Sequence, residues 1–188
     1  MPRLTLPVAE RRDHILGPLE APITLLEYGD FECPNCGDAY PELMDLLERV
    51  GDHVRLVFRH FPLTQIHPHS QRAAEAAEAA AAQGRFWDMH GLLFERQQDL
   101  DDDALLTYAR VLGLDLARFQ NDVLGGMHLR RIREDFLSGM HSGVNATPTF
   151  FVNEQRYDGH WDVESLMGAI AHATPVRRSR PHQRPHGR

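Results

Sequence analysis

Two short apolar runs with one amphipathic helix between them restrict the fold of this chain more than any other feature. "APITLLEY", Ala21 to Tyr28, is mostly apolar with β-branched members, is bounded by Pro22 and Gly29, and reads as a buried strand. "PELMDLLERV" sets Leu43, Leu46, Leu47 and Val50 at helical spacing, and Gly51 supplies the stop. "HVRLVFRHF", His53 to Phe61, puts Val54, Leu56 and Phe58 on one face and is ended by Pro62. Strand, helix and strand in that order build a parallel pair, which places the chain among the α/β folds. The turn entering the helix holds Cys33 and Cys36, the only two cysteines in 188 residues.

The pattern then turns helical. "SQRAAEAAEAAAAQ" is an alanine-rich helix ending at Gly84, whose small side chains permit close packing. "RFWDMHGLLFERQ" offers Met89, Leu92, Leu93 and Phe94 as an apolar face, and Trp87 and His90 share the spacing of that core stripe. "DDDALLTYARVLG" opens on acids, and "DLARFQNDVL" opens on Asp115 as an N-cap. "MHLRRIREDFLSGMHSG" repeats Ile132, Phe136 and Met140 and stops at Gly143. Strand character returns in "TPTFFVN" and "QRYDG", and a last helix, "DVESLMGAIAHA", has Asp162 as its N-cap. The order is βαβ, a helical block, then ββα. We expect one domain over residues 1–173, with a core of about 13–63 and 140–173 and a helical insertion of about 64–139. Residues 174–188, rich in Pro and Arg, are expected to form a disordered basic tail.

A net charge of −7 argues against a general nucleic-acid binder. The tail contains Arg177, Arg178, Arg180, Arg184 and Arg188 and no acid, so an acidic body carries a basic end. Lysine is absent, which excludes Schiff-base chemistry and the Walker phosphate loop. No run approaches the ~18 apolar residues of a membrane span. "MPRLTLPVAERRDHILG" lacks the apolar centre of a secretory signal, so a cytoplasmic protein without membrane contact is expected. In that compartment a cysteine pair is more often catalytic or metal-binding than structural.

If the helix starts just after Cys33, that residue is at the N-cap and Pro34 is at N1, where its missing N–H costs nothing. Cys36 falls on the same face, within reach of a disulfide. Free N–H groups and the helix dipole favour a thiolate on Cys33, the nucleophile, with Cys36 as the resolving thiol. The competing class is a binding module in which the pair holds a metal or acts as a redox switch. A structural zinc site wants four ligands, and no second cysteine pair exists, although His67 and His69 of "HPH" could contribute. In "GVNATPTFFV", Thr147–Pro148 immediately precedes a strand, where proline belongs at the start, an edge or a special turn. Spacing leaves open whether that bond is cis.

Together "LLEYGDFECPNC", "FRHFPL", "GRFWDMHGLLF" and "GVNATPTFFVNEQRYDG" resemble the DsbA-like branch of the thioredoxin superfamily, in order from about Asp13 to Ala173. The resemblance implies a thioredoxin fold, a central mixed β-sheet flanked by helices, with an all-α insertion. It implies a thiol–disulfide oxidoreductase that exchanges disulfides with protein or peptide substrates through Cys33-Pro34-Asn35-Cys36, with no metal or organic cofactor. Glutathione or another thiol is a further expected redox partner. The resemblance makes Pro148 a cis-proline lying against the cysteine pair and Thr147 the residue whose backbone aligns a peptide. Pro34 and Asn35 then belong to the substrate-binding face.

The same resemblance makes Glu27, six residues before Cys33, a buried acid that exchanges a proton with Cys36. Burial raises the pKa of such a carboxyl. The opposing reading is a glutamate facing solvent at the strand end. Asn35 stands where strongly oxidising members carry His, so Cys33 is expected to be less acidic and the disulfide less oxidising. Kappa-class glutathione transferases and related isomerases share the architecture but generally use serine as nucleophile, which ranks that activity lower. Arg59 and His60, at the end of the second strand, are expected near the active site.

Overall fold

The computed structural model describes residues 2–173, and the expectation for the tail lies outside the described residues. Its centre is the predicted unit: β2 (Ile23–Gly29) and β3 (Val54–His60) are parallel neighbours joined by α1 (Pro34–Val50). β1 (His14–Leu16) pairs antiparallel with β3, β4 (Thr149–Val152) antiparallel with β2, and β5 (Gln155–Tyr157) antiparallel with β4. The five-stranded order is β1-β3-β2-β4-β5, the thioredoxin fold. Between β3 and β4 run α2 (Ser70–Ala81), α3 (Phe86–Glu95), α4 (Asp102–Val111), α5 (Leu116–Leu124) and α6 (Leu129–His141), and α7 (Val163–His172) follows β5. The expectation missed β1. A three-residue strand is too short to show a period, and its existence depends on pairing with β3.

Every residue of β2 and β3 is buried, as central parallel strands covered on both faces require. Alternation sorts their side chains. Leu25 and Leu56 join Phe150 beneath Leu43 and Leu46 of α1 and Leu166 of α7. Leu26, Tyr28 and Val57 join Phe151 on the opposite face, against Phe61, Val144 and Phe136. The helical block packs around the alanines of α2: Ala73, Ala76, Ala77 and Ala80 meet Met89, Leu93, Leu105 and Phe119. That cluster continues through Phe58 and Phe31 to Cys33 and Cys36, so the insertion and the cysteine turn share one core. Asp101, Asp115 and Asp162 cap α4, α5 and α7 by accepting from Ala104 N, Arg118 N and Ser165 N.

The same alternation separates Arg59 from His60, whose ring stays 5.9 Å from Phe31 of the cysteine turn. Arg59 is fully buried, on the face of Tyr28 and Val57. Its Nε and Nη2 donate to Asp13 Oδ1 and Oδ2 at 2.9 and 3.1 Å, and Nη1 donates to Tyr28 Oη at 3.0 Å. His60 lies on the other face and bonds to Glu78 of α2. Neither contacts Glu27, whose carboxylate oxygens have no hydrogen-bond partner.

Candidate active site

The end of β2 and the start of α1 build the site. Cys33 is the N-cap residue, with extended backbone (φ −72°, ψ 120°), and Pro34 takes the first helical position. Cys33 O accepts from Cys36 N at 3.0 Å and Gly37 N at 3.1 Å, which closes the first turn. Both cysteines are free thiols and both are buried, while Pro34 and Asn35 are exposed on the rim. From the opposite side, the loop before β4 brings the cis Thr147–Pro148 bond against the pair. Cys33 Sγ lies 3.3 Å from Thr147 O, to which the protonated thiol donates. Residues 114 positions apart thus meet at one sulfur, and the buried Thr147 Oγ1 has no hydrogen-bond partner.

The two sulfurs have different acidities. The Cys36 thiol hydrogen bond contributes most to lowering the Cys33 pKa, to about 5, against an opposing burial effect. The Thr147 side chain and the backbone N–H groups of Cys36 and Asn35 add to it. Burial, the hydrogen bond to Cys33 and the nearby Glu27 carboxyl push Cys36 well above the usual thiol range. At neutral pH the proton therefore sits on Cys36 and the charge on Cys33, which is the division of labour expected of nucleophile and resolving thiol. A value of about 5 lies between the roughly 3.5 and 7 at the two ends of this motif's range. Single-site alkylation of reduced protein should accordingly rise with a midpoint near pH 5. A midpoint above pH 8 in stopped-flow alkylation would contradict this assignment.

Glu27 lies beneath the pair in the middle of β2, opposite Phe58 on one side and Phe150 on the other. It is 1% exposed. Gly29 makes room here, because a Cβ there would lie 2.4 Å from Phe58 Cε2 and 3.0 Å from Glu27 Oε1. Burial, then the charge on Cys33, raise the Glu27 pKa to about 8. Folded protein thus holds a proton that the unfolded chain releases near pH 4.5, so stability falls as pH rises from there to about 8. In denaturant melts, Glu27→Gln should remove a slope on the order of 1 kcal/mol per pH unit in that window. Equal slopes in the two proteins would show that Glu27 titrates normally.

One contributor gave no signal in the sequence. Gln97, in the turn after α3, donates through Nε2 to Phe31 O at 2.8 Å and Cys33 O at 2.9 Å. Its amide lies over Gly37, where a Cβ would come within 2.1 Å of Gln97 Oε1. The insertion thereby holds the cysteine turn from outside, across sixty-odd residues of chain. His67 and His69, the candidate metal ligands, are instead bonded through Nδ1 to Asp30 and Glu32, both at 2.8 Å. Among the described residues, Cys33 and Cys36 join no group of three potential metal ligands. Trp87 and His90 pack in the aromatic core; the His90 ring lies 4.7 Å from Phe58 and 4.9 Å from Phe94.

Comparison with known proteins agrees with this geometry. The sequence profile described as thioredoxin matches residues 9–172. A Na(+)/H(+) antiporter, NhaA 3 of Salinispora tropica, is 48% identical over 178 residues, covering 95% of this chain and 27% of the antiporter. The NhaA antiporter of Herminiimonas arsenicoxydans is 43% identical over 164 residues, covering 87% of this chain and 26% of that protein. The chain therefore spans about a quarter of the length of these relatives. Among solved structures, a thioredoxin-like oxidoreductase from Silicibacter pomeroyi is similar, with a TM-score of 0.77 and 29% identity over 86% of this chain and 92% of that one. Oxidised BdbD from Bacillus subtilis gives a TM-score of 0.80 at 21% identity, covering 91% and 97% of the two chains. Wolbachia pipientis α-DsbA1 gives 0.76 at 22% identity, covering 89% and 92%. With a profile match over most of its length and the cysteine pair at the head of α1, this chain belongs to the thioredoxin family and has the fold of its DsbA-like members.

Proposed function

We propose that the chain is a thiol–disulfide oxidoreductase acting on protein or peptide thiols through Cys33 and Cys36. The observation that carries this reading is an acidified, N-capping Cys33 in contact with the Thr147 carbonyl, with a protonated Cys36 one turn deeper. The Cys33 thiolate attacks a substrate disulfide sulfur, the substrate S–S bond breaks, and one substrate thiolate leaves and takes a proton from water. In the mixed disulfide the Cys33 charge that helps keep Glu27 protonated is gone, so the carboxyl releases its proton to water and takes the Cys36 proton, and the Cys36 thiolate attacks Cys33 Sγ and releases the second substrate thiolate. The Cys33–Cys36 disulfide formed carries away two electrons fewer than the dithiol, which balances the reduction of the substrate. In the reverse direction the same groups oxidise a substrate dithiol. A Glu27 pKa near 8 lets the carboxyl both take and return the proton close to neutrality.

Neither extreme of the family's potentials fits a Cys33 pKa of about 5. Equilibration across glutathione ratios, with thiols counted by mass, should give a two-electron couple between about −270 and −120 mV, accompanied by turnover of insulin disulfides. Stoichiometric metal on the cysteines as purified, without turnover, would refute the enzyme reading. A second reading narrows the partner. Because the similar antiporters carry the matching segment within a longer protein, this reading makes the substrate disulfide that of a cation/proton exchanger and the chain its redox module. Covalent trapping with Cys36→Ser, followed by mass spectrometry of the disulfide-linked species, separates this from a general protein substrate.

A further inference from the structure

Away from the cysteines, three side chains from three different elements converge on one buried point. His14 of β1 places Nε2 2.7 Å from Glu78 Oε1, and His60, ending β3, places Nε2 2.8 Å from the same oxygen. The three donor atoms lie within 4.8 Å of one another. Glu78 comes from α2, so the point is where the sheet meets the helical insertion.

Two imidazole nitrogens and one carboxylate oxygen are the donor set of a divalent transition ion with a position open for water. Ligands about 2.0–2.2 Å from a tetrahedral ion stand about 3.3–3.6 Å apart, so lengthening each imidazole–Glu78 contact by about 0.5–0.9 Å admits one. The two N–H···O bonds to Glu78 would then be exchanged for metal–ligand bonds, each Nε2 using its lone pair. Phe86 stacks on the His14 ring at a centroid distance of 3.5 Å, and Asp135 Oδ2 fixes the backbone of His60 by accepting from its N–H at 3.2 Å.

The neighbouring cation is partly neutralised. Arg131 Nε stands 3.9 Å from Glu78 Oε1, but its Nη1 is bound to Asp135 Oδ1 at 2.6 Å. The His14 side chain is 17% exposed and borders a surface cavity of about 350 Å³ between β1 and α3, which makes it the solvent-facing member of the three. We propose that His14, His60 and Glu78 form a binding site for a zinc-like divalent cation, separate from the cysteine pair, that fastens the helical insertion to the sheet. The site stands independently of the oxidoreductase reading. Because the unfolded chain does not assemble the three donors, binding stabilises the fold. It also steadies the insertion that carries Gln97 to the Cys33 carbonyl.

The test uses the full chain with Cys33→Ser and Cys36→Ser, so that thiolates cannot bind the ion. Zn2+ is titrated by calorimetry and Co2+ by its visible absorption, with thermal melts alongside. One ion per chain, a Co2+ spectrum free of thiolate charge transfer, and a higher melting temperature with Zn2+ are expected. His14→Ala, at the least buried of the three positions, should weaken Zn2+ at least tenfold with an unchanged circular dichroism spectrum, and His14→Gln should do the same. Absence of binding to the parent at a tenfold excess of Zn2+ over micromolar protein would overturn the site. So would an affinity unchanged in both folded His14 variants, which would assign the ion to histidines elsewhere in the chain.

Discussion

Cys33→Ser is expected to abolish disulfide turnover, lowering insulin reduction by about three orders of magnitude or more, as loss of a nucleophile does. The reason is local. The hydrogen bonds that draw the Cys33 pKa down to about 5 make a sulfur anion at neutral pH, and a serine hydroxyl in the same place keeps its proton. Cys36→Ser should behave differently. It leaves the attacking thiolate but removes the group that releases it, so a mixed disulfide accumulates and steady turnover stops after the first event. Non-reducing gels and intact mass distinguish the two variants directly. Equal residual activity in both, with no trapped species from Cys36→Ser, would remove the assigned order of attack.

The largest expected effect on stability lies on the other face of the sheet. Asp13→Ala should cost about 3–5 kcal/mol, because it strips the fully buried Arg59 of its bidentate partner and leaves the guanidinium charge inside. For a domain of this length that corresponds to a fall in Tm of about 10 °C. Removing both partners, as in Asp13→Ala with Arg59→Met, should recover part of the loss, since no uncompensated charge remains. The pH dependence has a definite sign. Burial alone would raise the Asp13 pKa, but the hydrogen bond and charge of Arg59, with help from Ala9 N–H and Arg12, hold it below 3.8. The pair's contribution is therefore complete above that pH and is lost as pH falls through the lowered folded pKa. Acid denaturation monitored by tryptophan fluorescence should show this step in the parent and not in Asp13→Ala. A loss under 1 kcal/mol would mean that water reaches Arg59.

These two experiments fall on opposite sides of what could be read without a structure. Cys33, Cys36 and Pro34 were legible because their chemistry is local: an N-cap, an N1 proline and a one-turn interval are properties of consecutive residues. The alanine helix, the caps at Asp115 and Asp162, and the strand–helix–strand order were legible for the same reason. Asp13 and Arg59 are 46 positions apart, and only the antiparallel docking of β1 on β3 carries one to the other. The end of β3 puts His60 and Arg59 near the active site, but the two-residue alternation of the strand aims His60 at Glu78, with its ring still against Phe31, and sends Arg59 to the other face.

By itself, the sequence determined the helices, every strand but β1, and which residues could do sulfur chemistry. Periodicity, capping and reactivity are set within a few residues of chain, and the burial required by a mostly apolar central strand follows from composition. Tertiary structure alone decided which distant groups serve the acidic sulfur that the helix start marks out. Thr147 reaches Cys33 only when β4 docks beside β2, Gln97 only when the insertion folds over Gly37, and Glu27 shifts its proton affinity only once α1 and the sheet have sealed it from water. Those are effects of desolvation and of contacts between remote segments, and neither exists until the chain has closed on itself.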